Sequence, residues 1–130
     1  MSTASIQEIE ARFGTNTPRR QFLFQQLQSL IDRVRSIGGV KQVFLFGSFV
    51  TGKASPNDID LFVVMNGAFS TANLRGQDLG IFQHDLCRIK FHADLFWVTE
   101  TVGADRIKDL LDVFSRNREG QAQPIIEVQL

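Results

Sequence analysis

The sequence contains no tyrosine, two histidines and a single cysteine, Cys87. One cysteine excludes a disulfide within the chain. No apolar run is long enough to span a bilayer, and no secretory apolar segment follows Met1, so we expect a soluble, cytoplasmic protein with no membrane partner. The 14 acidic and 14 basic residues balance to a net charge of zero. This balance argues against a protein whose main role is to coat nucleic acid.

The composition is that of a small globular protein. With 130 residues, of which 43% are hydrophobic, the chain suits one domain over residues 1–130 with a substantial core. Residues 1–18 are rich in Ser, Thr, Asn and Gly around a short helical stretch, Ile6–Phe13, and we expect them to include a flexible N-terminal segment.

Helical and strand patterns alternate along the rest of the chain. In the helical stretches apolar residues recur at steps of three and four, and the strand stretches are short apolar runs. The alternation predicts an α/β (α+β) fold with a mixed central sheet flanked by helices. The predicted helices are Arg19–Ile37, Gln77–Lys90 and Thr101–Arg118, and the predicted strands are Val40–Phe46, Ile59–Met65, Phe91–Val98 and Pro124–Leu130.

Three aspartates interrupt or adjoin the apolar strands. Asp58 and Asp60 are two positions apart, so they face the same side if the segment is extended, and Asp94 lies within the run Phe91–Val98. A carboxylate in an apolar strand costs several kcal/mol of desolvation unless it is paired or bound to a metal. Clustered carboxylates are typical ligands of Mg²⁺ in sites that also bind substrate phosphate. The pattern predicts a metal site for phosphoryl or nucleotidyl transfer.

Several of these residues have alternative interpretations. Asp58 follows Pro56-Asn57 and is also compatible with a turn role, whereas Asp60 has no local partner. His92 shares the predicted strand face of Asp94 and is either a structural residue or a ligand. We expect His84 on a helix surface, Cys87 as a buried structural thiol, and Phe49 as a candidate for stacking on adenine.

The motif Phe46-Gly47-Ser48, followed by Asp58-Ile59-Asp60 and later by Asp94, resembles the signature of the polymerase-beta-like nucleotidyltransferase superfamily. The small size resembles its minimal nucleotidyltransferases of the antitoxin type. The resemblance implies a nucleotidyltransferase-like fold in which Asp58, Asp60 and Asp94 are catalytic and hold two Mg²⁺ ions. It also implies that Gly47 and Ser48 bind the phosphates of ATP, with Lys53 as the nearby cation.

The implied activity is Mg²⁺-dependent transfer of an AMP unit from ATP to a hydroxyl of a partner protein, a helical toxin of the HEPN type. Without tyrosine, the chain cannot modify itself on a tyrosine hydroxyl. Two alternatives remain open within the enzyme class, with tRNA or a small molecule as acceptor. A different class is a non-catalytic antitoxin or nucleotide-binding module that acts by steric contact. The sequence Phe49-Val50-Thr51 favours it, because many minimal relatives carry basic residues at this place.

Overall fold

The computed structural model describes residues Met1–Leu130. Its strands are β1 (Ser2–Ala4), β2 (Val40–Phe46), β3 (Ile59–Met65), β4 (Ala93–Thr99) and β5 (Ile126–Val128). They form a single sheet in the order β1-β5-β2-β3-β4. Strand β2 is antiparallel to both of its neighbours, whereas β3 is parallel to β4 and β1 is parallel to β5. The predicted mixed sheet is therefore confirmed.

Helices flank the sheet, as predicted, and there are five of them. They are α1 (Ile6–Phe13), α2 (Pro18–Ile37), α3 (Gly76–Ile81), α4 (His84–Phe91) and α5 (Ala104–Phe114). The larger core cluster joins α1 to α4 with one face of the sheet, where Leu27, Leu45 and Leu61 are at most 1% exposed. None of the helices combines the length and apolar character that crossing a membrane requires.

The opposite face of the sheet carries a smaller core and only one helix. Phe44, Phe62 and Val64 pack there against the apolar side of α5, including Phe114. Because alternate residues of a strand share a face, Asp60 lies on the same face of β3 as Phe62. The helices α1 to α4 cover the other side, so this acidic position faces the side that is less fully covered.

Within residues 1–18, the chain forms β1 and α1 and begins α2 at Pro18. Ser5 caps α1 with a hydrogen-bonded capping box involving Glu8, and Ile9 and Phe13 lie in the larger core. Strand β1 continues the sheet beyond β5. The N-terminal segment is thus held by both hydrogen bonding and apolar burial.

The predicted helix Gln77–Lys90 is wrong as one element, because the chain breaks between α3 and α4. Phe82 ends α3 and is buried, and its carbonyl accepts a hydrogen bond from the indole of Trp97 at 3.3 Å. The predicted strand Phe91–Val98 also starts too early. Phe91 belongs to α4, and His92 ends that helix in the left-handed region at a φ of 53°, so His92 does not share a strand face with Asp94.

The last predicted helix and strand are shorter than expected. A 3₁₀ turn, Glu100–Val102, precedes α5, and Gly103 separates the two at a φ of 94°. The helix then ends at Phe114 rather than at Arg118, and β5 occupies only the middle of Pro124–Leu130. These changes leave the predicted order of elements intact.

Candidate active site

Asp58, Asp60 and Asp94 converge at the start of β3 and β4. Asp60 and Asp94 are register partners in the parallel pair, and Asp58 directly precedes β3. One carboxylate oxygen from each residue lies within 4.8 Å of the corresponding oxygens of the other two. The structure therefore brings together all three acidic residues that the sequence singled out.

Gly47 allows the backbone to approach Asp60 closely. The residue has a φ of 79° and a ψ of −165°, a region that is almost confined to glycine. A Cβ atom at this position would lie 2.0 Å from Oδ2 of Asp60. Since β2 and β3 pair Phe46 with Asp60, the turn after β2 is built directly against the acidic cluster.

The turn continues as a 3₁₀ helix, Ser48–Val50, whose position is fixed by Arg20. Arg20 is 3% exposed. Its guanidinium donates hydrogen bonds to the carbonyls of Phe13, Phe49, Thr51 and Lys53 at 2.6 to 3.2 Å. Desolvation lowers the pKa of Arg20, but four carbonyl partners satisfy the buried cation. This residue ties the Gly47–Lys53 segment to α2.

Two cationic or polar side chains of α4 approach the aspartates. Nε of Arg88 lies 3.3 Å from Oδ1 of Asp94, and its Nη2 lies 3.6 Å from Oδ2 of Asp58. Nε2 of His84 lies 3.1 Å from the same Asp94 oxygen. These are ion-pair distances, but none of the contacts to Asp94 has hydrogen-bond geometry. Oδ1 of Asp94 is buried and accepts no hydrogen bond.

Burial and mutual repulsion shift the titration of the cluster. Desolvation, followed by the negative charges of Asp58 and Asp94, raises the pKa of Asp60 to about 7. Desolvation and then the charge of Asp94 also raise the pKa of Asp58, although Arg88 opposes this shift. The protein thus concentrates negative charge where water cannot fully solvate it, and an added cation would relieve this cost.

The remaining predicted site residues are placed as follows. Ser48 is half-buried at the start of the turn, next to Gly47. Lys53 is exposed and lines a separate cavity of about 330 Å³ that also includes Arg12 and Arg20. Phe49 is 0% exposed, so the expectation that it stacks on adenine is wrong.

The histidines and the cysteine complete this account. The ring of His92 packs edge-on against Phe22 at 4.9 Å, in a structural position. Cys87 is fully buried, as predicted, and desolvation, followed by the charge of Asp94, raises the pKa of its thiol to about 12. His84 is exposed on α4, as expected, and its ring also contacts the acidic site.

His84 and Arg88 are the site residues that sequence reasoning missed. They are four positions apart and so share one face of α4, immediately before the strand that carries Asp94. That spacing was the one sequence signal that could have indicated both residues as members of the site. The apolar pattern across Gln77–Lys90 concealed it, because it predicted a continuous helix with a different buried face.

Comparison with known proteins places the chain in a family. Residues 2–129 match the family described as "Family of unknown function (DUF6932)". The chain belongs to DUF6932. No curated protein sequence is detectably similar to it.

Among solved structures, this DUF6932 member is similar to a candidate nucleotidyltransferase from Sulfolobus solfataricus. The two share 20% sequence identity, and the alignment covers 93% of this chain and 95% of the other, with a TM-score of 0.37. A TM-score this low does not establish a common fold. The chemistry of the site is therefore inferred from its own residues.

The donor set suits a hard divalent cation. It consists of carboxylate oxygens alone, including one buried oxygen without a hydrogen-bond partner, and Mg²⁺ and Mn²⁺ prefer such ligands. A Cβ atom at Gly47 would overlap the Asp60 carboxylate, so glycine at this position keeps the Gly47-Ser48 turn directly beside the acidic cluster. A cation site beside a close-approach glycine turn is an arrangement that can hold a phosphorylated substrate.

Proposed function

We propose that this protein is a divalent-metal-dependent nucleotidyltransferase that moves an AMP unit from ATP to a hydroxyl of a partner protein. The observation that carries the proposal is the convergence of Asp58, Asp60 and Asp94 within 4.8 Å against the Gly47 turn. A solely structural role does not account for three carboxylates that repel one another in a partly buried place.

Asp58, Asp60 and Asp94 would hold the metal. When bound, Mg²⁺ supplies Lewis acidity, which lowers the pKa of an attacking hydroxyl and offsets the negative charge of the triphosphate and of the leaving pyrophosphate. Oδ1 of Asp94 is buried and accepts no hydrogen bond, although His84 and Arg88 lie within ion-pair distance of it. We assign to Asp94 the orientation of the attacking hydroxyl and acceptance of its proton.

The Gly47-Ser48 turn and α4 would bind the phosphates from two sides. Gly47 permits close backbone approach, and the hydroxyl of Ser48 makes no hydrogen bond within the protein. Arg88 and His84 bring basic side chains, which the three residues directly after Ser48, Phe49-Val50-Thr51, lack. Because the side chain of Arg88 is 57% exposed, it can turn from the carboxylates towards a phosphate at little cost.

The acceptor is proposed to be a small helical protein of the HEPN toxin type, which the transfer would inactivate. The absence of tyrosine means that a tyrosine acceptor would belong to another protein, and the zero net charge supports a protein acceptor over a nucleic acid. This protein would then act as the antitoxin of the pair, and Lys53 would contribute to nucleotide binding only at the margin of the site.

A second candidate is an antitoxin that acts by steric contact without transfer. The observation that favours it is the turn itself, in which Phe49 and Val50 are buried and the three residues directly after Ser48, Phe49-Val50-Thr51, include no cation. In this case the acidic cluster would still bind metal, but no nucleotide would be consumed.

The test is incorporation of label from α-³²P-ATP into the protein encoded by the neighbouring reading frame, with and without Mg²⁺. We expect label with the wild type and its loss in Asp60→Asn. Asp78→Asn is the matched control, because Asp78 is also acidic but pairs with Arg33 on the surface at 3.3 Å. Equal labelling by Asp60→Asn and wild type would refute catalysis at this site, and co-purification of the two proteins without any labelling would favour the steric alternative.

A further inference from the structure

An aromatic cavity lies beside the acidic site and has no role in the chemistry described so far. Its volume is about 340 Å³, and eight of its nine lining residues are hydrophobic. The volume is within the usual range for small-molecule pockets. The residues that matter here are Phe62, Phe82, His84, Phe96, Trp97 and Phe114.

The cavity adjoins the acidic site along two strands and at one shared side chain. Phe62 follows Asp60 on the same face of β3, and Phe96 follows Asp94 on the same face of β4. Two residues of a strand span roughly 7 Å. His84 joins the two places, because its Nε2 lies 3.1 Å from Asp94 and its ring lies 5.6 Å from that of Phe96.

Phe96 presents an aromatic face in a fixed position. It is 41% exposed, yet its ring packs at 5.3 Å from Phe114 and at 6.3 Å from Phe46. These contacts hold the ring while leaving part of it open. Strand β4 is also at the edge of the sheet, so the backbone groups on its outer side have no strand partner and can bond a polar ligand edge.

We propose that this cavity binds the base of the nucleoside triphosphate, stacked on Phe96, while the phosphates lie at the acidic site. The inference rests on the proposed function and deepens it by assigning the place of the base. An uncharged, aromatic cavity next to a charged cluster matches a ligand with a planar neutral head and an anionic tail. Stacking of this kind is tolerant of base identity and is a large part of nucleotide affinity.

Trp97 provides a direct readout, because it lines the cavity and is the only tryptophan in a chain without tyrosine. We expect Mg·ATP and adenosine to change its fluorescence emission, whereas Mg·tripolyphosphate, which lacks a base, should bind with little change. Isothermal titration calorimetry on the same protein gives the affinities of Mg·ATP and Mg·tripolyphosphate independently of the fluorescence.

The decisive variant is Phe96→Ala, with Phe22→Ala as the matched control. Phe22 is similarly exposed, at 37%, but it lies on α2 and contacts His92. Loss of one stacking contact should weaken Mg·ATP binding by roughly 5- to 150-fold, leave Mg·tripolyphosphate binding unchanged, and have no counterpart in Phe22→Ala. Phe96→Leu, which keeps apolar volume without an aromatic face, should also weaken Mg·ATP binding.

The outcomes separate this inference from the function on which it rests. Unchanged Mg·ATP affinity in both Phe96 variants, with tripolyphosphate still bound, would overturn the base site and leave the phosphate site standing. Equal loss of Mg·ATP and Mg·tripolyphosphate would also overturn it, because Phe96 would then support the phosphates. If neither compound binds the wild type, the proposed function fails and the base site fails with it.

Discussion

Replacing Gly47 with alanine should damage the fold and the acidic site together. The φ of 79° and ψ of −165° cost a residue with a Cβ atom about 1 to 3 kcal/mol. In addition, the new Cβ would lie 2.0 Å from Oδ2 and 2.9 Å from Cγ of Asp60, so the carboxylate must move. We expect the free energy of unfolding to fall by about 3 kcal/mol or more, because the displacement of the Asp60 carboxylate adds to the backbone cost.

Gly120→Ala separates the two contributions. Gly120 also has a φ of 79°, but a Cβ atom there would meet nothing within 4 Å. We expect it to cost about 1 to 2 kcal/mol from conformation alone. Urea denaturation in the presence of a chelator measures both variants, and Mn²⁺ binding followed by electron paramagnetic resonance should be weakened in Gly47→Ala and unchanged in Gly120→Ala.

A double-mutant cycle tests the contact itself. Asp60→Ala removes Oδ2 and Cγ, so only the Asp60 Cβ remains, 3.2 Å from the added methyl group. Gly47→Ala should therefore cost less in the Asp60→Ala background than in the wild type. Additive costs, within about 0.5 kcal/mol, would refute the argument that Gly47 is required because of Asp60.

Three further predictions concern the charges around the site. Because the folded state raises the pKa of Asp60 from 3.8 to about 7, the unfolded state loses this proton first as pH rises. The metal-free wild type should therefore lose stability relative to Asp60→Asn between about pH 4 and pH 7, and a constant difference in urea unfolding across that window would contradict this. Arg88→Gln removes a cation that competes for Asp58 and Asp94, so Mn²⁺ should bind up to about fivefold more tightly by calorimetry, and weaker binding would show that Arg88 supports the metal site instead. Arg20→Met leaves buried carbonyls without a donor and should lower the free energy of unfolding by roughly 3 kcal/mol or more, whereas a cost below about 1 kcal/mol would mean that water replaces the guanidinium.

The sequence was sufficient for the elements that carry the acidic residues. Strands β2 and β3 have the predicted bounds, Val40–Phe46 and Ile59–Met65, because mostly apolar runs ended by glycine or turn residues leave little choice of structure. The i, i+2 spacing of Asp58 and Asp60 predicted that both side chains face the same side of the segment, although Asp58 lies just before the strand. Helix α2 begins one residue earlier than predicted, with Pro18 in its first turn.

The region between β3 and β4 could not be predicted in the same way. Leu86 and Ile89 continue an apolar helical pattern, yet they are 51% and 75% exposed, so the pattern does not mark the buried face. Phe82, where the helix breaks, accepts a hydrogen bond from Trp97, and the contacts of Arg88 are with Asp58 and Asp94, which strand pairing brings together. Such interactions arise only from the assembled fold and have no local signature.

Strand β5 lies between β1 and β2, so local opening at the β1 edge of the sheet is separated from the strands that carry the acidic residues. The β1–β5 pair joins segments from opposite ends of the chain, as in the register of Ser2 with Ile126, and only three residues of each strand hold it together. Local opening should therefore begin there, with faster amide hydrogen exchange than in β3. The acidic residues lie on the other side of β2, so these openings can occur repeatedly while Asp58, Asp60 and Asp94 keep their arrangement.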